Sequence, residues 1–155
     1  SNGSHGITSN EQGIIESCTA FFNGGAGIRA SFGECVITNC VTRGNTVAGI
    51  EVGYSCLVRD NECALSSGPG ILVTSTDNRI EGNNVDSTTL GIQVTSPGNL
   101  ILRNSVTNAG TPYSFVANNR YGQIVNISGG GAAAVNGPSA ASTLTTTDPW
   151  ANFTY

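Results

Sequence analysis

The chain has 155 residues, a length suited to a single hydrophobic core, and a formal net charge of −4 with only 10% charged residues. Its six basic side chains are scattered arginines, which excludes the basic stripe that a nucleic-acid backbone requires, and no apolar run approaches the roughly 18 residues that span a bilayer. The opening Ser1-Asn2-Gly3-Ser4 lacks the charged-then-apolar order of an export signal, and the polar surface is mostly neutral Gly, Asn, Ser and Thr.

The first predicted element is a short strand at Gly6-Ile7, and it recurs. Gly27-Ile28, Gly49-Ile50, Gly70-Ile71 and Gly91-Ile92 follow at spacings of 21, 22, 21 and 21 residues. A second register keeps step: Ile15-x-x-Cys18-x-Ala20, Val36-x-x-Asn39-x-Val41, Val58-x-x-Asn61-x-Cys63, Ile80-x-x-Asn83-x-Val85 and Ile101-x-x-Asn104-x-Val106. A pair of helices needs a longer period than this, and the segments are short, β-branched and bounded by Gly, Asn and Ser. Three short strands per coil, with alternate side chains turned inward, predict an all-β parallel β-helix of about five to six coils over residues 1–127.

Each coil must bend between strands, and a bend strands backbone N–H and C=O groups that the sheet cannot pair. An amide side chain both donates and accepts, so Asn39, Asn61, Asn83 and Asn104 are expected to stack as a ladder at one bend. Cys18 takes that position in the first coil, where the ladder should fray. The first coil begins almost at residue 1 with no segment to cap it, so either the chain is a piece of a longer protein or another chain covers that end.

Along the Gly-Ile-x-Val strand the outward row reads Thr8, Arg29, Glu51, Leu72 and Gln93. Arg29 beside Glu51, with His5 and Glu11 near the first coil, is the closest approach to a catalytic set, although a stacked ion pair between Arg29 and Glu51 explains the same residues. The second strand turns out Ile14 and Glu16, Cys35 and Ile37, Leu57 and Arg59, Arg79 and Glu81, and Leu100 and Leu102; more than half are apolar, a stripe suited to a homo-oligomer contact such as a side-by-side trimer, unless a register slip of one residue turns some of them inward. Phe32 and Tyr54 match in the first turn of successive coils, where stacked rings suit a sugar face; ordinary turn packing is the plainer alternative.

Five cysteines leave at least one unpaired; Cys18 with Cys40 and Cys35 with Cys56 fall one coil apart, either as stacked thiols or as disulfides, and Cys63 faces inward. His5 is the only histidine and no Cys-x-x-Cys exists, so no metal and no cofactor is expected. Residues 128–144 read as a Gly/Ala/Ser-rich linker, and 145–155, with the only tryptophan, as a tail that packs on the helix or on a neighbouring subunit. Asn126-Ile127-Ser128 and Asn152-Phe153-Thr154 match glycosylation acceptors.

Gly-Ile-x-Val followed by Ile-x-x-Asn-x-Val resembles the right-handed parallel β-helix repeat of the pectate-lyase-like superfamily over roughly residues 5–127. The resemblance implies a three-strand coil with the Asn ladder between its second and third strands. It also implies, in the lyases of that superfamily, calcium-binding carboxylates and an arginine base on the first face. Neither those carboxylates nor the Asn-Thr-Asp, Asp-Asp and Gly-His-Gly motifs of the galacturonases are present. The expectation is therefore a non-catalytic module for scaffolding, self-assembly or polysaccharide binding, secreted or at the cell surface. The alternative is a polysaccharide lyase or glycoside hydrolase working in a groove along the helix.

Overall fold

A computed structural model describes residues 3–127 and 146–155. The described residues contain strands and no helix, arranged in three parallel sheets. The first sheet stacks β1 (Ile7–Ser9), β4 (Ile28–Ala30), β7 (Ile50–Val52), β10 (Pro69–Val73), β13 (Leu90–Val94) and β16 (Thr111–Phe115). The second stacks β2 (Gly13–Glu16), β5 (Cys35–Thr38), β8 (Leu57–Arg59), β11 (Arg79–Glu81), β14 (Leu100–Leu102) and β17 (Arg120–Tyr121). The third holds β3 (Thr19–Phe21), β6 (Val41–Arg43), β9 (Glu62–Ala64), β12 (Asn84–Asp86), β15 (Ser105–Thr107), β18 (Ile124–Asn126) and β19 (Asn152–Thr154). Every third strand returns to its own sheet one coil later, the topology of a parallel β-helix.

Like lies on like inside. Ile28, Ile50, Ile71 and Ile92 pair in register along the first sheet, and Ile37, Val58, Ile80 and Ile101 along the second. Cys63, Val85 and Val106 continue the third, and all of these side chains are fully buried. At roughly 2 kcal/mol or more for each buried aliphatic side chain, these columns supply the main favourable term for the stack.

The glycine opening each coil is fixed by close approach. A Cβ on Gly27 would lie 2.8 Å from the Gly49 carbonyl oxygen of the next coil and 2.6 Å from the Asn45 amide nitrogen.

Each corner of the coil repeats one device: a residue with left-handed backbone angles, then a ladder residue, buried except near the ends of the stack. At the corner between the second and third sheets, Ser17, Asn39, Asp60, Gly82 and Arg103 have positive φ and precede Cys18, Cys40, Asn61, Asn83 and Asn104. The Oδ1 of Asn83 accepts from the backbone N–H and the side-chain amide of Asn61, both at 3.0 Å, while its own Nδ2 donates to Val58 O and to Asn104 Oδ1. Asn39 does not belong to this ladder. In its coil the inward positions are Ile37 and Thr42, one residue later than Val36 and Val41, so Cys40 takes the ladder position and Asn39 is exposed at φ 53°. A shift of one residue exchanges the faces of a strand, and burying Ile37 leaves Asn39 as the bend residue, where asparagine tolerates left-handed angles.

Two further ladders occupy the other corners. Asn78, Asn99 and Asn119 run in series between the first and second sheets, below Cys35 and Cys56, with Cys56 N donating to Asn78 Oδ1 at 2.9 Å. Asn23 and Asn45 form a third, between the third sheet and the next coil, with Asn23 Nδ2 donating to Asn45 Oδ1 at 2.9 Å. The first two columns hold cysteine in the early coils and asparagine later, because a thiol also reaches the local carbonyls: Cys40 Sγ donates to Thr38 O at 3.3 Å and Cys56 Sγ to Tyr54 O at 3.4 Å; the third passes from Asn23 and Asn45 to Ser66 and Thr88.

All five cysteines are free thiols. Burial is the main cause that raises Cys56 to about 11 and Cys63 to about 12, from an ordinary value of 9.0. A thiol whose folded value is raised contributes stability fully below the unfolded value and loses it as pH climbs through the window to the folded value. Denaturant midpoints should therefore be flat up to about pH 9 and fall steadily between about 9 and 12. A loss on the order of 5 kcal/mol is expected by pH 11, and Cys63→Val, which keeps the packing but not the proton, should remove about half of it.

Candidate functional site

The outward row of the first sheet is Thr8, Arg29, Glu51, Leu72 and Gln93, paired strand to strand. Arg29 Nε donates to Glu51 Oε1 at 3.2 Å, and Arg29 Nη1 lies 3.2 Å from His5 Nε2. The three residues are thus brought together. The other ring nitrogen, His5 Nδ1, accepts the Ala26 N–H at 2.9 Å. The two contacts engage both ring nitrogens of His5, Nδ1 with the Ala26 N–H and Nε2 with the Arg29 guanidinium. Arg29 in turn is held by Glu51.

A concavity lies beside this row, at the corner leaving the first sheet. Phe32 and Tyr54 are 59% and 45% exposed there, and they line a cleft of about 360 Å³ with Glu11, Gln12, Gly33 and Glu34. Gly33 has φ +91°, and a Cβ there would approach the Tyr54 ring to 2.7 Å, so glycine lets the ring lie against the bend. Glu34 N donates to Tyr54 O at 3.1 Å, and the Gln12 amide donates to the Glu34 carboxylate, which ties three coils together around the cleft. Sequence reasoning found the two rings by their matching positions but not Gln12 or Glu34, and it grouped Glu11 with Arg29, Glu51 and His5 rather than with the rings. Glu11, Gln12 and Glu34 sit in turns, where the repeat imposes no alternation to read.

A second aromatic cleft, of about 400 Å³, lies near the last coil against Tyr113, Phe115, Tyr121 and Ile124. Its ring centroids are 5.8 Å apart for Tyr113 and Phe115 and 5.4 Å for Phe115 and Tyr121.

On the second sheet the apolar row differs from the expected one. Ile37 and Cys35 are buried, and Val36 points outward in their place, because that coil is shifted by one residue. The outward row is Ile14, Val36, Leu57, Arg79 and Leu100, with Ile14 75% exposed; Leu102 belongs to the neighbouring row. Arg79 interrupts the apolar run and, with Arg103, binds the buried carboxylate of Glu81.

Among the described residues no group of three or more His, Cys, Asp or Glu converges as a metal site would require. Asn152 is fully buried within the amide ladder, which closes its acceptor triplet to glycosylation in the folded chain, whereas Asn126 is exposed.

No curated protein and no solved structure matches the chain. Residues 1–144 match the family model described as "Right handed beta helix region". With repeat, three-sheet stack and family match in agreement, the chain belongs to the right-handed beta helix family.

Proposed function

We propose that this protein is a non-catalytic β-helix module that binds neutral polysaccharide, with the cleft of Phe32 and Tyr54 as its contact, at or outside the cell surface. The observation that carries the reading is the placement of two exposed rings on successive coils in one cleft. Aromatic faces match the apolar face of a sugar ring, and the surrounding Gln12, Glu11 and Glu34 offer acceptors and a donor to hydroxyls. Two carboxylates at the rim also work against a polyuronide, which would meet like charge in addition to the chain's net −4.

The competing reading is a lyase or hydrolase that uses Arg29, Glu51 and His5. The hydrogen bonding of His5 and the Arg29–Glu51 ion pair count against it.

Calorimetric titration with neutral oligosaccharides is expected to give saturable binding, weakened about fivefold to tenfold by Phe32→Ala or Tyr54→Ala and little changed by Arg29→Ala. Equal binding by all variants would refute the cleft. Formation of unsaturated product from a polyuronide, abolished by Arg29→Ala, would replace the proposal with the lyase reading. Self-association through Ile14, Val36, Leu57, Leu100 and Leu102 is a further part of the proposal, and a strictly monomeric mass at high concentration would remove it.

A further inference from the structure

The third sheet is out of chain order at its end: β15 pairs with β19, and β18 lies outside β19. The sixth coil's own third strand has been displaced by one rung, and the tail occupies the slot. The tail is integrated there through its backbone. Phe153 N donates to Asn104 O at 2.8 Å, Tyr155 N to Val106 O at 3.1 Å, and Asn152 N to Gln123 O at 2.7 Å. Asn152 also supplies the next amide of the ladder: its Oδ1 accepts from Asn104 N and Nδ2, and its Nδ2 donates to Ile101 O and Gly122 O. The Arg103 guanidinium lies 5.0 Å over the Trp150 ring.

From this slot we infer that the tail is an exchangeable strand, and that the last two coils of one chain accept residues 146–155 of a second copy in place of their own. Every bond just named joins the tail to β14, β15, β17, β18 or their turns, so a second copy presents the same partners to it. Residues 128–145 separate the tail from β18, and a stretch of that length reaches at most roughly 60 Å, enough to serve a neighbour. Exchange of identical elements needs no new interface chemistry. The family match ends at residue 144, before the tail. This inference goes beyond glycan binding and does not depend on it.

Two full-length variants test it. In Gly122→Val the new side chain overlaps the Trp150 carbonyl, so the slot is closed while the tail remains intact. In Phe153→Pro the tail loses its donor to Asn104 while the slot remains intact. Both carry Ile14→Ser and Leu57→Ser, which break the outward apolar row of the second sheet, so each alone should be monomeric by native mass spectrometry, and an equimolar mixture should form a one-to-one heterodimer. Folded variants that fail to combine would overturn the inference. Should Gly122→Val not fold, a labelled peptide of residues 146–155 is titrated into Phe153→Pro. The peptide is expected to bind and to bind about tenfold more weakly with Asn152→Ala; no binding, or equal binding of the two peptides, would overturn the inference as well.

Discussion

Asn83→Leu should lower the unfolding free energy by about 3–6 kcal/mol. Leucine matches asparagine in bulk but returns none of its bonds. The substitution leaves Asn61 N and Nδ2 without their shared acceptor, Val58 O without its donor and Asn104 Oδ1 with one donor fewer. Those groups are in the interior, with Asn61, Asn83 and Asn104 all buried, so water cannot replace the lost partners. Asn39 is the natural control. It shares the repeat pattern but is exposed and holds a bend, and Asn39→Asp, which tolerates the same backbone angles, should stay within about 0.5 kcal/mol. Urea denaturation of the two variants checks both; similar losses at the two positions would contradict the ladder.

Gly91→Ala is expected to be comparably severe, at about 3 kcal/mol or more. An added methyl there overlaps the carbonyl oxygen of Pro112 on the next coil and lies 2.5 Å from Val106 Cγ1. The first of these is backbone and cannot rotate away, so the fifth and sixth coils would have to part locally. Gly98 has positive φ but only Thr76 Cβ at 3.7 Å to meet, and Gly98→Asn should cost no more than about 1 kcal/mol. Thermal unfolding of both, followed by circular dichroism, distinguishes close approach from backbone angle as the reason for glycine in the opening position.

The ladder of Asn61, Asn83 and Asn104 was legible because an amide in a fixed place, three coils running and each time three residues after a core aliphatic, has few other uses. The ladder of Asn78, Asn99 and Asn119 has the same make-up, two cysteines and then three asparagines, but escaped notice because Ser75 and Ser96, not core aliphatics, stand three residues before Asn78 and Asn99. The same mixture misled the reading of Asn39, where two adjacent positions, Asn39 and Cys40, both fit the spacing and only the burial of Ile37 separates them. The row of Arg29 and Glu51 followed from strand alternation alone. His5 joining it through Ala26, and Glu11 and Glu34 closing the aromatic cleft, depend on how turns of different coils lean together, and no periodicity encodes that. The insertion of β19 is likewise a contact between distant segments of chain.

Backbone amide resonances followed during titration with neutral oligosaccharides test the functional account most directly. Binding without turnover predicts saturable shifts concentrated at Glu11, Gln12, Phe32, Gly33, Glu34 and Tyr54, with the sugar recovered intact. Shifts centred instead on His5, Arg29 and Glu51, accompanied by cleavage of the sugar chain, would contradict it.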